Sequence, residues 1–421
     1  MRSLGPPWPK TPIATASCLV LLCLSAMSSV SHAVEQRPGI PSVLLAWDGT
    51  GDFGPETPGT KTAGWQEALD YCVAHAQDLY VKGGWGGRKA IYHVQDTIRV
   101  PATQDFRIDG GVYVINWIGP PDDPAKDLMV IDSTMNGEYH FGIFVYGGAG
   151  AGLRIRPENP VPIDGFAVFV ETEIKSQGIA DPNPFKPGER KAGTGLFLDG
   201  TKAAIVNNRF DFIGGILNFK TCVESRGGFA QNHFNCLHLH TNADGSTLFK
   251  VGSGSVQNIF DLAIGVDMGA GEVRGIDIQG RNNTFRIMTR GGFPKSNDVI
   301  LAEPAAGNRI DLIHDKDTFD PADFVTDHAA TPTNRLTWTG GSIPLCTVPV
   351  PAGEFTYVQR LYPAAVRLEG DSVTSVKRVR GDSAIAYRLP CQGDLLLGVG
   401  DALEIESTGA ASLHIAPLPL P

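Results

Sequence analysis

Asp211, Asn235, Asp261, Arg286 and Asp311 follow one another at intervals of 24, 26, 25 and 25 residues. Carboxylates gathered by such a recurrence can act on a glycosidic bond, one protonating the leaving oxygen while the other activates water. Asp211 and Asp261 make the best acid and base pair, with Asn235 between them as a hydrogen-bonding contact for substrate. A second group lies just downstream, His238 and His240 followed by Asp244, with Asp267 at the comparable place one repeat later. Two imidazoles at i and i+2 of an extended segment share a face and can exchange protons with a substrate. No third metal ligand stands at a matching distance, so no metal centre is expected. Elimination on an acidic sugar needs a base and a neutraliser for the sugar carboxylate: Arg226, Arg274, Arg286 and Arg290 are the candidates, Arg274 or Arg286 as base, with Glu224, Asp261, Asp267 and Glu272 as oxygen ligands for a calcium ion. Calcium enters only with that chemistry; otherwise no cofactor is expected.

Each member of the first series stands three residues after an asparagine, in the series Asn208, Asn232, Asn258, Asn283 and Asn308. After each asparagine the apolar residues alternate, as in Phe210 and Phe212, Phe234 and Cys236, or Phe260 and Leu262. Period two denotes a strand with that phase buried. A second short β-like run precedes each asparagine, for example Thr247-Leu-Phe-Lys-Val and Gly275-Ile-Asp-Ile. A strand-turn-strand unit of about 25 residues cannot bury its apolar face alone, whereas stacked copies form one continuous core. The pattern therefore predicts a parallel β-helix whose asparagines stack coil on coil and take the left-handed turn conformation. Outward side chains on neighbouring coils then lie roughly 4.8 Å apart, a ladder suited to an extended polymer.

The rest of the chain sets limits. Gly and Pro supply 80 of 421 residues without a collagen-like period, which agrees with many turns between short strands. Residues 1–33 read as a secretory signal: Arg2 and Lys10 precede the apolar run from Ala16 to Ala26, and Ser31 and Ala33 are small residues at the two positions a signal peptidase reads. The protein is accordingly expected to be secreted or periplasmic and not membrane-spanning. Its net charge of −10 argues against a nucleic-acid partner. Of the seven cysteines, Cys72, Cys222, Cys236, Cys346 and Cys391 lie beyond the signal. Cys236 is expected to be buried and free, and Cys346 with Cys391 to form a disulfide. Trp85 and Trp117 are either core residues or stacking platforms for sugar rings.

The segment Asp48-Gly-Thr-Gly-Asp52, followed by Trp65-Gln-Glu-Ala-Leu69, resembles the opening of the pectin-lyase-like superfamily of right-handed parallel β-helices. Ile91-Tyr-His-Val, Thr97-Ile-Arg-Val and Phe106-Arg-Ile-Asp-Gly resemble its first coils. The resemblance covers roughly residues 45–315 and implies an all-β solenoid with a short N-terminal helical cap. It implies a polysaccharide as partner, cleaved by hydrolysis, transfer or elimination, or else merely bound by a non-catalytic adhesin or spike, since the fold hosts all of these. The expected organisation is a signal peptide at 1–33, cap and first coil at 34–100, β-helix at 101–325, and a small β-sandwich-like module at 340–421. Leu397-Gly-Val-Gly-Asp401 within that module looks like C-terminal modules of spike proteins, and the chain is expected to be a monomer or homotrimer.

Overall fold

The computed structural model of the chain describes residues 42–84, 90–158, 163–164, 167–170, 173–175, 193–241, 245–266, 273–290, 299–313, 324–339, 346–389 and 393–418, with backbone alone at 163–164, 167–170, 173, 175, 266 and 290. The expected signal segment, Trp85, Asp244, Asp267, Glu272 and Cys391 lie outside the described residues.

The alternating segments form parallel strands that stack in register. Arg209–Phe212, His233–Thr241, Ile259–Val266, Thr284–Arg290 and Arg309–Ile313 pair in that order, placing Phe210, Phe234, Phe260, Phe285 and Ile310 in one inward column. All five are fully buried, and the rings of Phe260 and Phe285 stack at 4.7 Å. The upstream runs form a second parallel sheet, in which Thr194–Val206, Thr221–Ala230, Ser246–Val251, Val273–Ile278, Val299–Leu301 and Val325–Asp327 follow one another. Chain segments alternate between these sheets, so the fold is a parallel β-solenoid with one continuous apolar core.

The asparagines form the column expected of them. Asn208 Nδ2 donates to Asn232 Oδ1 at 3.1 Å, and the same bond links Asn232 to Asn258, Asn258 to Asn283 and Asn283 to Asn308. Each acceptor oxygen also takes the backbone N–H of the preceding asparagine, so these buried amides are satisfied by their own repeat. The left-handed conformation falls one residue earlier than expected. Asn207, Gln231, Gln257, Asn282 and Gly307 carry positive φ of 55° to 65°, which turns the chain so that the following asparagine points inward. The series has a further member, Asn334, which accepts from Asn308 at 3.0 Å. The strand behind it, Arg335–Thr339, pairs with Arg309–Ile313, so the solenoid runs past residue 325.

At the start, strand Ser42–Leu45 already pairs in parallel with Asp78–Val81, and the helix Trp65–His75 lies between them in sequence. Its Trp65, Ala68, Leu69 and Cys72 are buried. Gln66 exchanges two hydrogen bonds with the backbone of Arg99, 2.7 and 3.1 Å, and so occupies polar groups that the edge strand Ile98–Val100 would leave open. After the solenoid, two four-stranded antiparallel sheets enclose a separate core that includes Val366, Val376, Leu403, Ile405 and Leu413. This is the expected sandwich, with the strands Val373–Arg380 and Ala411–Pro417 added to those visible in the sequence.

Candidate functional site

Outward side chains of the asparagine-led sheet form the expected ladder. Asp211, Asn235, Asp261, Arg286, Asp311 and Thr337 are register partners in successive coils, so Asp211 and Asp261 lie two strand spacings apart, roughly 9.6 Å between backbones. Their neighbours occupy both carboxylates. Asp211 Oδ2 accepts from Arg209 Nε at 2.6 Å and Oδ1 from Asn235 Nδ2 at 3.2 Å. Asp261 Oδ2 is 2.7 Å from His233 Nε2, and Oδ1 accepts from Arg286 Nη1 at 3.3 Å. Asp311 accepts from Arg309 and Thr337 through Oδ1 alone. Substrate reaching the oxygens of Asp211 or Asp261 must first displace a partner on the same face.

Glu224 and Arg226 stand elsewhere, on the second sheet. There Phe197, Glu224, Lys250 and Asp277 are register partners in four successive coils. A cleft of about 260 Å³ opens over them, lined by Glu224, Arg226, Lys250, Ser253, Asp277 and Gln279 among others. Glu224 and Asp277 are again two spacings apart, roughly 9.6 Å at the backbone, with Lys250 between. Glu224 Oε1 accepts from Arg226 Nη2 at 2.6 Å, and Asp277 Oδ2 lies 3.7 Å from Arg274 Nη1. Among the described residues Glu224 Oε2 and Asp277 Oδ1 have no hydrogen-bond partner, nor has the Lys250 ammonium. One wall of this surface is fixed from below. Arg154 chelates the buried Asp127 at 2.7 and 3.0 Å and lies over the Phe197 ring at 4.5 Å, while Arg226 lies over that ring at 5.1 Å. Arg226 thus lies between the Phe197 ring and the Glu224 carboxylate.

The residues named from the sequence therefore divide. Asp211, Asn235, Asp261 and Arg286 share one face; Glu224, Arg226 and Arg274 share another. His238 and His240 lie past the corner of the first sheet, where the register shifts between Cys236 and Leu239, and their rings sit 5.1 Å apart. They are outside the Asp211 ladder because His240 pairs with Leu217, beyond the strand that carries Asp211. Glu224 and Asp261, named together as calcium ligands, stand on different sheets, which separates them. Among the described residues no cluster of three metal-ligating side chains occurs. Trp117 is a core residue: it is buried, and its Nε1 donates to the carbonyl of Pro120 at 3.3 Å. Lys250, Asp277, Arg154 and Asp127 were missed. A signal for two of them existed, because Glu224, Lys250 and Asp277 recur at 26 and 27 residues in the upstream runs.

No family model and no curated protein matches the chain. Solved structures similar to it at low identity include three tailspike proteins. The Dettilon tailspike protein is 12% identical, with a TM-score of 0.35 over 89% of this chain and 94% of that one. A tailspike protein of Acinetobacter baumannii bacteriophage Fri1, described as a capsular polysaccharide depolymerase, is 9% identical, with a TM-score of 0.36 over 90% and 85%. The enzymatically active domain of tailspike protein 4 of bacteriophage CBA120 is 9% identical, with a TM-score of 0.33 over 86% and 67%. Similarity this distant says nothing of the chemistry of individual residues. No helix among the described residues is long and apolar enough to cross a membrane.

Proposed function

We propose that the protein is an exported carbohydrate-active protein that lays an extended polysaccharide along the second sheet and hydrolyses it in the cleft between Glu224 and Asp277. The observation that carries this reading is the pair of carboxylates across a concave site, each with one oxygen uncommitted. Cleavage with inversion places acid and base about 6.5–9.5 Å apart, leaving room for water beside the sugar, and two strand spacings come close to that separation. One carboxyl protonates the departing oxygen and the other takes a proton from the water. Lys250 sits between the two carboxylates and offsets their charge, and Gln279 and Ser253 supply hydrogen bonds to hydroxyl groups.

The Asp211 and Asp261 pair is a second reading, supported by the same two-coil separation in register. Incubation with a panel of polysaccharides, following both new reducing ends and the absorbance of unsaturated products, tests the activity. Reducing ends without unsaturated products are expected. Unsaturated products would replace hydrolysis by elimination, with Arg274 or Arg286 as base. Binding without any product would leave a non-catalytic spike or adhesin.

A further inference from the structure

A second cleft, of about 590 Å³, lies where the last coil meets the C-terminal module, within the size range of small-ligand sites. Two guanidinium groups line it, Arg335 from the last solenoid strand and Arg380 from the module, beside the apolar edges of Pro332, Leu361 and Pro363.

The two arginines are held differently. Arg380 is anchored by Asp401, which is fully buried and grips one guanidinium edge through Nε and Nη2, the latter at 2.9 Å, while also accepting from Gly398 N–H at 2.7 Å. That leaves Nη1 uncommitted among the described residues. Arg335 is exposed and has no side-chain partner among the described residues, whereas Arg309, its register partner one coil earlier, is ion-paired to Asp311. Asp401 offsets one of the two charges, so the cleft stays cationic in a chain of net charge −10. The floor is also unusual. Leu361 adopts φ of 65°, a region bulky residues avoid, and its carbonyl accepts the Leu336 N–H across the junction at 2.6 Å.

An exposed guanidinium and an anchored one lining the same cleft are suited to an oxoanion, and the two prolines offer apolar contact to the carbon face of a sugar. We propose that this junction cleft is a separate binding site for a sugar unit bearing a carboxylate. It shares with the proposed function only the carbohydrate class of the ligand, and its test reads binding rather than cleavage.

The test is calorimetric titration of the intact protein with cellobiouronic acid, with neutral cellobiose and with sodium sulfate. The acidic disaccharide should bind about tenfold or more tightly than the neutral one, and Arg335→Gln should remove most of that preference. Arg380→Gln leaves Asp401 buried without its partner and endangers folding, so Arg335→Gln is the deciding variant. A loss in Lys250→Gln equal to that in Arg335→Gln would place the binding in the other cleft and overturn the proposal. Equal affinity for both disaccharides, no binding, or sulfate bound as well as the acidic sugar would overturn it too.

Discussion

The solenoid presents two outward ladders built by the same repeat, and they differ in what their charges do. On the asparagine-led sheet both oxygens of Asp211 and of Asp261 are taken by residues of their own or adjacent coils, and among the described residues Asp311 keeps Oδ2 alone. On the second sheet, Glu224 and Asp277 flank Lys250 in a cleft and each keeps an oxygen for a ligand. Equal spacing thus yields a structural face in one place and a receptive one in the other. On the first ladder Arg209 and Arg309 reach Asp211 and Asp311 from two residues before, and His233 and Arg286 reach Asp261 from the coils on either side. Recurrence of carboxylates places them at a useful distance, but the neighbours decide whether they are available.

Both faces stand on one turn column, so the largest effect expected of a single core change is at its middle. Asn258→Leu removes the acceptor of two Asn232 donors and the donor to Phe229 and Asn283, and should cost about 3 kcal/mol or more, read from denaturant unfolding. A cost below about 1 kcal/mol would mean that the column does not brace the faces.

A smaller effect compares the interiors beneath them. Burial pushes the thiols of Cys236, under the first ladder, and Cys222, under the second, from 9.0 up to about 12. A thiol raised in the fold ionises first in the unfolded chain, so this stability is complete below pH 9 and falls as pH rises through 9 towards 12. The slope should be about 1 kcal/mol per pH unit for each thiol. Both should resist alkylation in the native protein near neutrality; fast labelling of one alone would show that the two faces do not share one continuous apolar core. The smallest effect belongs to the self-paired ladder. Arg286→Gln breaks an exposed contact to Asp261 and should change stability by under about 1 kcal/mol.

The architecture was legible because the asparagine series and the alternating Phe and Ile positions are local and periodic, and periodicity survives in a single sequence. Asn334 escaped notice because Leu336 and Trp338 replace the Phe-rich pattern behind it. The cleft was less legible for a physical reason. Lys250 and Asp277 lie in runs whose two sequence neighbours, Phe249 and Val251, or Ile276 and Ile278, advertise only a buried strand. Which carboxylate keeps a free oxygen depends on contacts between coils, such as Arg226 over Phe197, and these join residues that sequence spacing alone does not rank. The Cys346–Cys391 pairing falls on Cys391, outside the described residues.

The central claim is that the cleft, not the self-paired ladder, carries the chemistry. On a polysaccharide confirmed as substrate, release of reducing ends should be measured for Glu224→Gln with Asp277→Asn and, separately, for Asp211→Asn with Asp261→Asn, each pair checked for normal folding. The cleft pair should lose at least about 100-fold in rate, and the ladder pair should stay within about threefold of the parent protein. A ladder pair that loses its activity while the cleft pair keeps full activity would contradict the account and return the reaction to Asp211 and Asp261.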